Sequence, residues 1–263
     1  MKSLIALVIT ALIFSSCEKI VELDLSNNIN KMVVDANITN QPGPYFVKLS
    51  KSVNFNEIST YPAVNNAVVI ITDNTGQKDT LSYTSSGIYK TNNLQGVEGR
   101  TYYLTIKLEG KNYTAQSTMP SKIPLDSLRI NTFKFNGKDQ ISVIPIYKDP
   151  TFLGNNYRFI QTINSKPDET YFAYNDNLNN GETNQRPLRS NDQDLELKTG
   201  DKVKVEMRCI DLHTYNYFLS LSQQTGGAFG GGSAPANPPN NITGGALGIF
   251  SAHTMQTKTI VIQ

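Results

Sequence analysis

The sequence predicts a mainly β protein made of two β-sandwich domains, the first immunoglobulin-like and the second with one helix and a long Gly/Pro-rich loop. Three observations predict it. Short apolar stretches alternate with polar residues at a period of two, which is typical of strands with one buried face. Gly, Pro and Asn turns separate these stretches at short intervals, which favours many strands over long helices. The length, 263 residues, is enough for two domains.

The first domain is predicted to span residues 31–119. About seven short strands at this spacing favour an immunoglobulin-like sandwich. The clearest strand begins near Tyr102, where Tyr102, Leu104 and Ile106 share one face. Tyr102 has two interpretations that the pattern leaves open. It forms a tyrosine corner, in which the hydroxyl binds the backbone upstream, or it is an ordinary core aromatic.

The second domain is predicted to span residues 125–263, after a connector with two prolines, Pro120 and Pro124, which we interpret as a hinge. Residues 203–209 alternate, so Cys209 is predicted to be a small buried hydrophobe rather than a reactive thiol. Asp211 is suited to cap a helix over about 211–223. The Gly/Pro-rich loop at 225–245 follows, and two separate strands, Leu247–Ala252 and Lys258–Ile262, end the chain.

The N-terminus predicts a lipid anchor. Residues 1–16 have the pattern of a lipoprotein signal peptide: Lys2, an apolar stretch from Leu4 to Phe14, and two serines before Cys17. That stretch is shorter than the roughly 20 residues of a spanning helix. Cys17 would carry the lipid and residues 17–30 would be a tether. The alternative is a buried N-terminal helix with an incidental cysteine.

Composition and motifs argue against several functions. Lys and Arg total 24 against 22 for Asp and Glu, and they are not clustered, so no nucleic-acid partner is predicted. The sequence contains no Gly-x-Ser-x-Gly nucleophile motif and no phosphate-binding Walker motif. With only His213 and His253, a His-based metal cluster is nearly excluded. We predict no catalytic residue, no cofactor and no metal site.

Two oxygen-rich stretches, residues 175–182 and 191–194, keep two further interpretations open. Calcium loops and polar turns both contain such residues, although the spacing from Asp176 fails the EF-hand pattern because Leu178 and Pro187 fall at ligand positions. A hydrolase with a dispersed carboxylate site, including Asp176 or Asp192, is the third-ranked function.

Several segments follow one another in a recognisable order: the tether after Cys17, Val34–Tyr45, Val68–Gly76, Gln95–Tyr102, Ser117–Leu128, Pro235–Ile242 and Gly244–Gly248. Their order resembles that in an uncharacterised family of Bacteroidota outer-membrane lipoproteins, a domain of unknown function. Members of this family tend to be encoded beside TonB-dependent receptors. The resemblance implies a lipid-anchored accessory protein of a nutrient-uptake system, on the periplasmic or the cell-surface side of the outer membrane. The family has no established catalytic residues.

The first-ranked function is therefore a non-enzymatic outer-membrane lipoprotein that binds a TonB-dependent receptor, an unknown ligand, or both. We predict its contact surface on the 225–245 loop, which is long for a structureless segment, at Phe229, Pro238, Pro239, Asn240 and Asn241. The alternative is a structural or adhesive surface protein built from immunoglobulin-like modules.

Overall fold

A computed structural model describes residues 30–54, 61–135, 137–192, 195–225 and 236–263. These residues form fifteen strands and one helix. The bounds are β1 Met32–Thr39, β2 Phe46–Lys51, β3 Val68–Asp73, β4 Lys78–Thr80, β5 Ser82–Ser85, β6 Ile88–Lys90, β7 Thr101–Leu108, β8 Lys111–Thr118, β9 Ser127–Phe135, β10 Lys138–Ile146, β11 Asn156–Ile163, β12 Lys166–Pro167, β13 Phe172–Asn175, β14 Lys202–Ile210, α1 Leu212–Gln224 and β15 Leu247–Val261.

The predicted mainly β fold class is confirmed, and the first half of the chain forms a sandwich. One layer is the four-stranded sheet β4-β3-β7-β8, and the other is part of a nine-stranded sheet in which β15, β1, β2, β6 and β5 are neighbours. The inward residues of both layers form one core, as in immunoglobulin-like sandwiches. Val34, Ile71 and Ile106 are all fully buried there.

Tyr102 has the geometry of a tyrosine corner. Its ring is fully buried in the sandwich core, and its hydroxyl accepts a hydrogen bond from the backbone N–H of Val97 at 2.6 Å. Burial raises the pKa of Tyr102, so the hydroxyl stays protonated. Of the two interpretations left open by the sequence, the structure supports the corner.

A second core lies where the β9–β10 hairpin packs on β11, β14 and the last residues of β15. Val143 of the hairpin is buried against Phe159 and Val205 of the large sheet. Cys209 is 3% exposed in this core, and its sulfur accepts a hydrogen bond from the Ile123 N–H at 3.4 Å. Burial also raises the pKa of the Cys209 thiol. The thiol is a buried hydrophobe, as the sequence predicts.

The C-terminal strand joins the two cores. Its residues 247–253 pair in parallel with β1, from Leu247 opposite Val33 to His253 opposite Thr39. Residues 254–261 then pair antiparallel with β14. The prediction of two separate last strands was wrong, because the chain continues through 253–257 without a break. Phe250 and Ala252 consequently belong to the first core, although they lie in the second half of the sequence.

The proline-containing connector is anchored at both ends. Met119 is fully buried in the first core, and its N–H donates to the Arg100 carbonyl at 2.9 Å. Further along, the Gln256 side chain of β15 accepts a hydrogen bond from the Leu125 N–H at 3.1 Å and donates to the Ile123 carbonyl at 2.6 Å. The residues that the prolines mark as a hinge are therefore fixed against both halves.

Helix α1 begins one residue after Asp211 and ends at Gln224. One oxygen of the Asp211 carboxylate accepts the Thr214 N–H at 2.8 Å, the standard N-cap bond, and the other accepts the Ser117 hydroxyl of β8 at 2.6 Å. The same carboxylate thus caps the helix and ties it to the first sandwich. Within the described part of the chain, no helix is long and apolar enough to cross a membrane.

Gly248 is the position at which β15 passes closest to β1. Its φ is +98°, and a Cβ atom there would lie 1.9 Å from the Val34 carbonyl oxygen. We expect Gly248→Ala to lower the free energy of unfolding by roughly 3 kcal/mol or more, because backbone must move on both strands. The control is Gly76→Ala, which has a φ of +91° but nothing within 4 Å, and should lose roughly 1 kcal/mol. Equal losses in urea denaturation would show that the contact between β15 and β1 is unimportant.

Candidate functional site

Polar residues lie on the face of the nine-stranded sheet that points away from both cores. Side chains alternate along a strand, so when Phe250 and Ala252 enter the first core, Ser251 and His253 point to the other face. The site is built on this face, at the junction of the two halves of the sheet.

Helix α1 covers part of this face and encloses a small cavity. Thr214, Tyr215 and Phe218 are the buried residues of the helix, and the helix packs on β11, β13 and β15. The cavity between helix and sheet, here called the inner chamber, has a volume of about 40 Å³. Its polar and aromatic walls include Asp35, Arg158, Arg208, Thr214, Phe218, Ser251 and His253.

Two arginines lie directly opposite each other in this chamber. Arg158 of β11 and Arg208 of β14 are register partners in the antiparallel pair. The Nε of Arg208 donates to the Glu206 carboxylate at 2.5 Å, whereas the Arg158 guanidinium stacks 3.5 Å from the centre of the Phe218 ring. Burial first, and then the positive charge of Arg208, lower the pKa of Arg158 to about 10, so it remains charged at neutral pH.

His253 lies fully buried beside the two arginines. It is 1% exposed, and its Nδ1 lies 3.0 Å from the Ser251 hydroxyl. Burial, followed by the charges of Arg208 and Arg158, holds the pKa of His253 well below its ordinary value. The imidazole is therefore neutral at neutral pH.

Three polar atoms around the chamber are buried without a hydrogen-bond partner among the described residues: Nε of Arg158, Nε2 of His253 and Oγ1 of Thr214. Buried polar groups are nearly always hydrogen-bonded in folded proteins. That three of them converge on one chamber is the strongest local indication of a binding site.

A larger open cavity adjoins the chamber, and Arg158 lines both. This outer cleft has a volume of about 640 Å³, within the usual range of ligand sites. Its walls include Arg158, Asp168, Glu169, Tyr171, Asp192 and Thr225. The Tyr171 ring lies 6.0 Å from that of Phe218, so aromatic surface continues from the chamber into the cleft.

The acidic residues of the outer cleft differ in how firmly they are held. Both oxygens of the Asp168 carboxylate accept hydrogen bonds, from Gln161 at 3.1 Å and from the Thr170 N–H at 2.9 Å. Asp192 lies 3.6 Å from the Lys166 ammonium. Glu169 is exposed at the rim. The cleft is therefore lined by three carboxylates, of which Glu169 is the exposed one, and by one guanidinium.

The structure does not bring Asp176 and Asp192 together in one cavity. Asp176 is 2% exposed and lines a separate small cavity, where its carboxylate accepts the Asn155 N–H at 2.8 Å. Gln193 and Asp194, the end of the second oxygen-rich stretch, lie outside the described residues. Among the described residues, no group of three or more His, Cys, Asp or Glu is arranged to hold a metal ion.

The described contact residues predicted on the 225–245 loop do not line the chamber or the outer cleft. Cys17 and Phe229 are outside the described residues. Pro239 is exposed and Pro238 half-buried. The Asn241 amide donates to the Phe250 carbonyl at 2.7 Å, and Asn240 accepts the Ile242 N–H at 3.0 Å. The Asn241 amide therefore holds the loop onto the sandwich and the Asn240 side chain stabilises the loop itself, and of the four described contact residues only Pro239 is exposed.

Sequence reasoning missed the chamber. The alternation of residues 203–209 places Arg208 on the polar face of β14, which is correct but does not reveal a site, and the expected break in the last strand hides that His253 lies inside β15. The signal available in the sequence was that two strands, β11 and β14, each have an arginine on the outward face. Their direct pairing depends on strand register, which the alternation of each strand alone does not fix.

A family model described as "Domain of unknown function (DUF4249)" matches residues 18–259. No curated protein matches the chain. Among solved structures, the chain is similar to a segment of two fibronectin type III domains from chicken tenascin, at 12% identity, over 69% of this chain and 90% of that one, with a TM-score of 0.23. The family description assigns no activity.

The buried, neutral His253 should make stability depend on pH. In the unfolded chain its pKa is near 6.5, and in the folded chain it is well below that. Below pH 6.5 the unfolded state binds the proton and the folded state does not. The free energy of unfolding therefore has its full value above this pH. Below it, the free energy of unfolding falls by up to about 1.4 kcal/mol per pH unit.

We expect urea unfolding at pH 7 and pH 5.5 to show this loss in the natural protein and to show less of it in His253→Gln. The matched control is His213→Gln, at an exposed helix residue, which leaves His253 in place and should keep the full loss. Parallel pH dependence in all three proteins would mean that His253 titrates normally.

Proposed function

We propose that this chain, which belongs to the family described as Domain of unknown function (DUF4249), is a non-enzymatic ligand-binding lipoprotein of the outer membrane. It is anchored through Cys17, captures a ligand in the outer cleft and acts as the accessory of a TonB-dependent nutrient-uptake receptor. The observation that carries the proposal is the outer cleft of about 640 Å³, which shares Arg158 with a chamber that has unpartnered polar atoms.

The chemistry of the cleft suits binding better than turnover. The carboxylate at its wall, Asp168, has both oxygens engaged in hydrogen bonds, which fixes its orientation. Arg158 is held by stacking on Phe218 at 3.5 Å. Fixed charges and aromatic walls of this kind orient a ligand.

The anchoring part of the proposal is supported by the sequence around Cys17. A basic residue, a short apolar stretch and two serines precede this cysteine. Stable attachment to a bilayer takes more than one acyl chain, which a lipid on an N-terminal cysteine supplies. The other cysteine, Cys209, is buried in a core and is not available for a lipid.

The receptor part of the proposal is supported by the family resemblance and by where the cleft opens. Thr225, at the cleft wall, is the residue at which the Gly/Pro-rich loop begins. A receptor that contacts the chain at Thr225 would therefore lie beside the cleft, so that ligand could pass from one protein to the other. Glu169 is exposed at the same rim.

Replacing Cys17 by Ala tests the anchor. We expect the natural chain, expressed in its own host, to incorporate radiolabelled palmitate and to sediment with outer membranes. The Cys17→Ala chain should incorporate none and leave that fraction. Cys209→Ala is the control and should behave as the natural chain. A natural chain without label, or a Cys17→Ala chain that stays in the outer membrane, would overturn the anchoring proposal.

Charge reversal at the cleft rim tests the receptor contact. We expect affinity isolation after crosslinking to recover a TonB-dependent receptor with the natural chain, and about tenfold less with Glu169→Arg, because a rim charge is reversed and bulk is added. The control is Glu109→Arg, the same change at an exposed turn of the first sandwich. It should recover the receptor normally.

Two results would contradict this function. Isolation without any receptor, with both variants behaving like the natural chain, would remove the accessory role. Binding of glycans or host protein, together with normal nutrient uptake in a deletion strain, would favour the adhesive alternative.

A further inference from the structure

The inner chamber holds two arginines and is lined by the Asp35 carboxylate, but among the described residues only Arg208 forms an ion pair there, with Glu206. Like charges placed directly opposite in a sheet are destabilising, yet Arg158 and Arg208 occupy such a position. Glu206 pairs with Arg208. Arg158 has an aromatic ring on one side, and its buried Nε has no partner among the described residues. A planar guanidinium of this kind matches a carboxylate with two parallel hydrogen bonds.

The size of the inner chamber restricts what can enter. Its volume of about 40 Å³ corresponds to roughly three water positions, at about 10–15 Å³ each. A carboxylate group has three heavy atoms and fits this volume, whereas a phosphate group has five. The chamber is therefore matched to a carboxylate at the end of a larger molecule.

Two further side chains point to a ligand independently of the arginines. Thr214 and His253 are each 1% exposed, and Thr214 Oγ1 and His253 Nε2 have no partner among the described residues. When the Ser251 hydroxyl donates to Nδ1 of the neutral imidazole, Nε2 carries the hydrogen and is a donor. An acceptor group in the chamber would satisfy both atoms.

The outer cleft adds carboxylates, which carry the opposite charge, along its walls. Arg158 lines both cavities, so a molecule whose carboxylate reaches it from the cleft would lie against Tyr171. Asp168, Glu169 and Asp192 then surround the rest of that molecule, and their charges favour a cationic group and disfavour a second anion.

We propose that the inner chamber and the outer cleft form one binding site for a zwitterion, an amino acid or short peptide. Its terminal carboxylate binds the paired arginines, and its ammonium group lies among the acids of the cleft. This inference rests on the proposed function, since it names the ligand class of the same cleft.

Calorimetric titration of the full-length lipoprotein in detergent with four probes tests the ligand class. The probes are alanyl-alanine, its C-terminal amide, N-acetyl-alanyl-alanine and free alanine, and inorganic phosphate is titrated as the competing anion. We expect alanyl-alanine to bind about tenfold or more tightly than the amide, which lacks the carboxylate, because charged hydrogen bonds are the strong ones. Loss of the ammonium by acetylation should weaken binding several-fold. If free alanine binds as tightly as alanyl-alanine, the ligand class is a free amino acid. If it binds more weakly, the ligand class is a short peptide.

Variants of two chamber residues test whether the dipeptide binds in this site. Arg158→Met should abolish binding of alanyl-alanine. Thr214→Val keeps the side-chain shape and removes a hydroxyl that has no protein partner, so it should fold normally and bind several-fold more weakly. Lys204→Met, at an exposed residue of β14, is the control and should bind as the natural chain.

The proposal is overturned if alanyl-alanine does not bind, if the dipeptide and its amide bind equally, if inorganic phosphate binds more tightly than the dipeptide, or if both chamber variants bind as the natural chain. These outcomes are distinguishable from failure of the proposed function. Palmitate labelling and recovery of the receptor are measured without any probe and can succeed while the dipeptide fails.

Discussion

The architecture depends on strand β15, which pairs with β1 on one side and with β14 on the other. Over residues 247–253 the strand runs parallel to β1, and over 254–261 antiparallel to β14. Without this pairing, the two cores would be linked only by the short connector. With it, one nine-stranded sheet covers both. The close approach at Gly248, where a Cβ atom would lie 1.9 Å from the Val34 carbonyl oxygen, makes this pairing intolerant of a side chain.

The candidate site exists because of that pairing. Arg158 and Arg208 come from the second half of the sheet, and Ser251 and His253 come from the segment of β15 that pairs with the first. Asp211 then fixes α1 over the junction through Ser117 of the first sandwich. Charged and polar residues that would be solvated on an ordinary outer face are therefore dehydrated here. Dehydration strengthens the interaction of a bound anion with the guanidinium groups.

The sequence predicted what depends on local pattern. The strand alternation that buries Cys209, the Asp211 cap and the position of Tyr102 all follow from residues within one turn or strand, and the structure has them. It did not predict the continuous β15, because the polar residues 253–257 look like a connection and a parallel partner more than two hundred residues away leaves no local sign. The chamber was missed for the same reason, since the pairing of Arg158 with Arg208 is a matter of register.

Hydrogen exchange along β15 in the native protein tests most directly whether this strand makes one cooperative unit of both halves. We expect the amides of residues 249–253 and of residues 256–260 to exchange with the same opening free energy and the same dependence on urea, because neither half of the strand can leave the sheet alone. A clearly lower opening free energy for one segment, while the other stays protected, would contradict this. The two halves would then be independent domains, and the chamber between them would not be a fixed site.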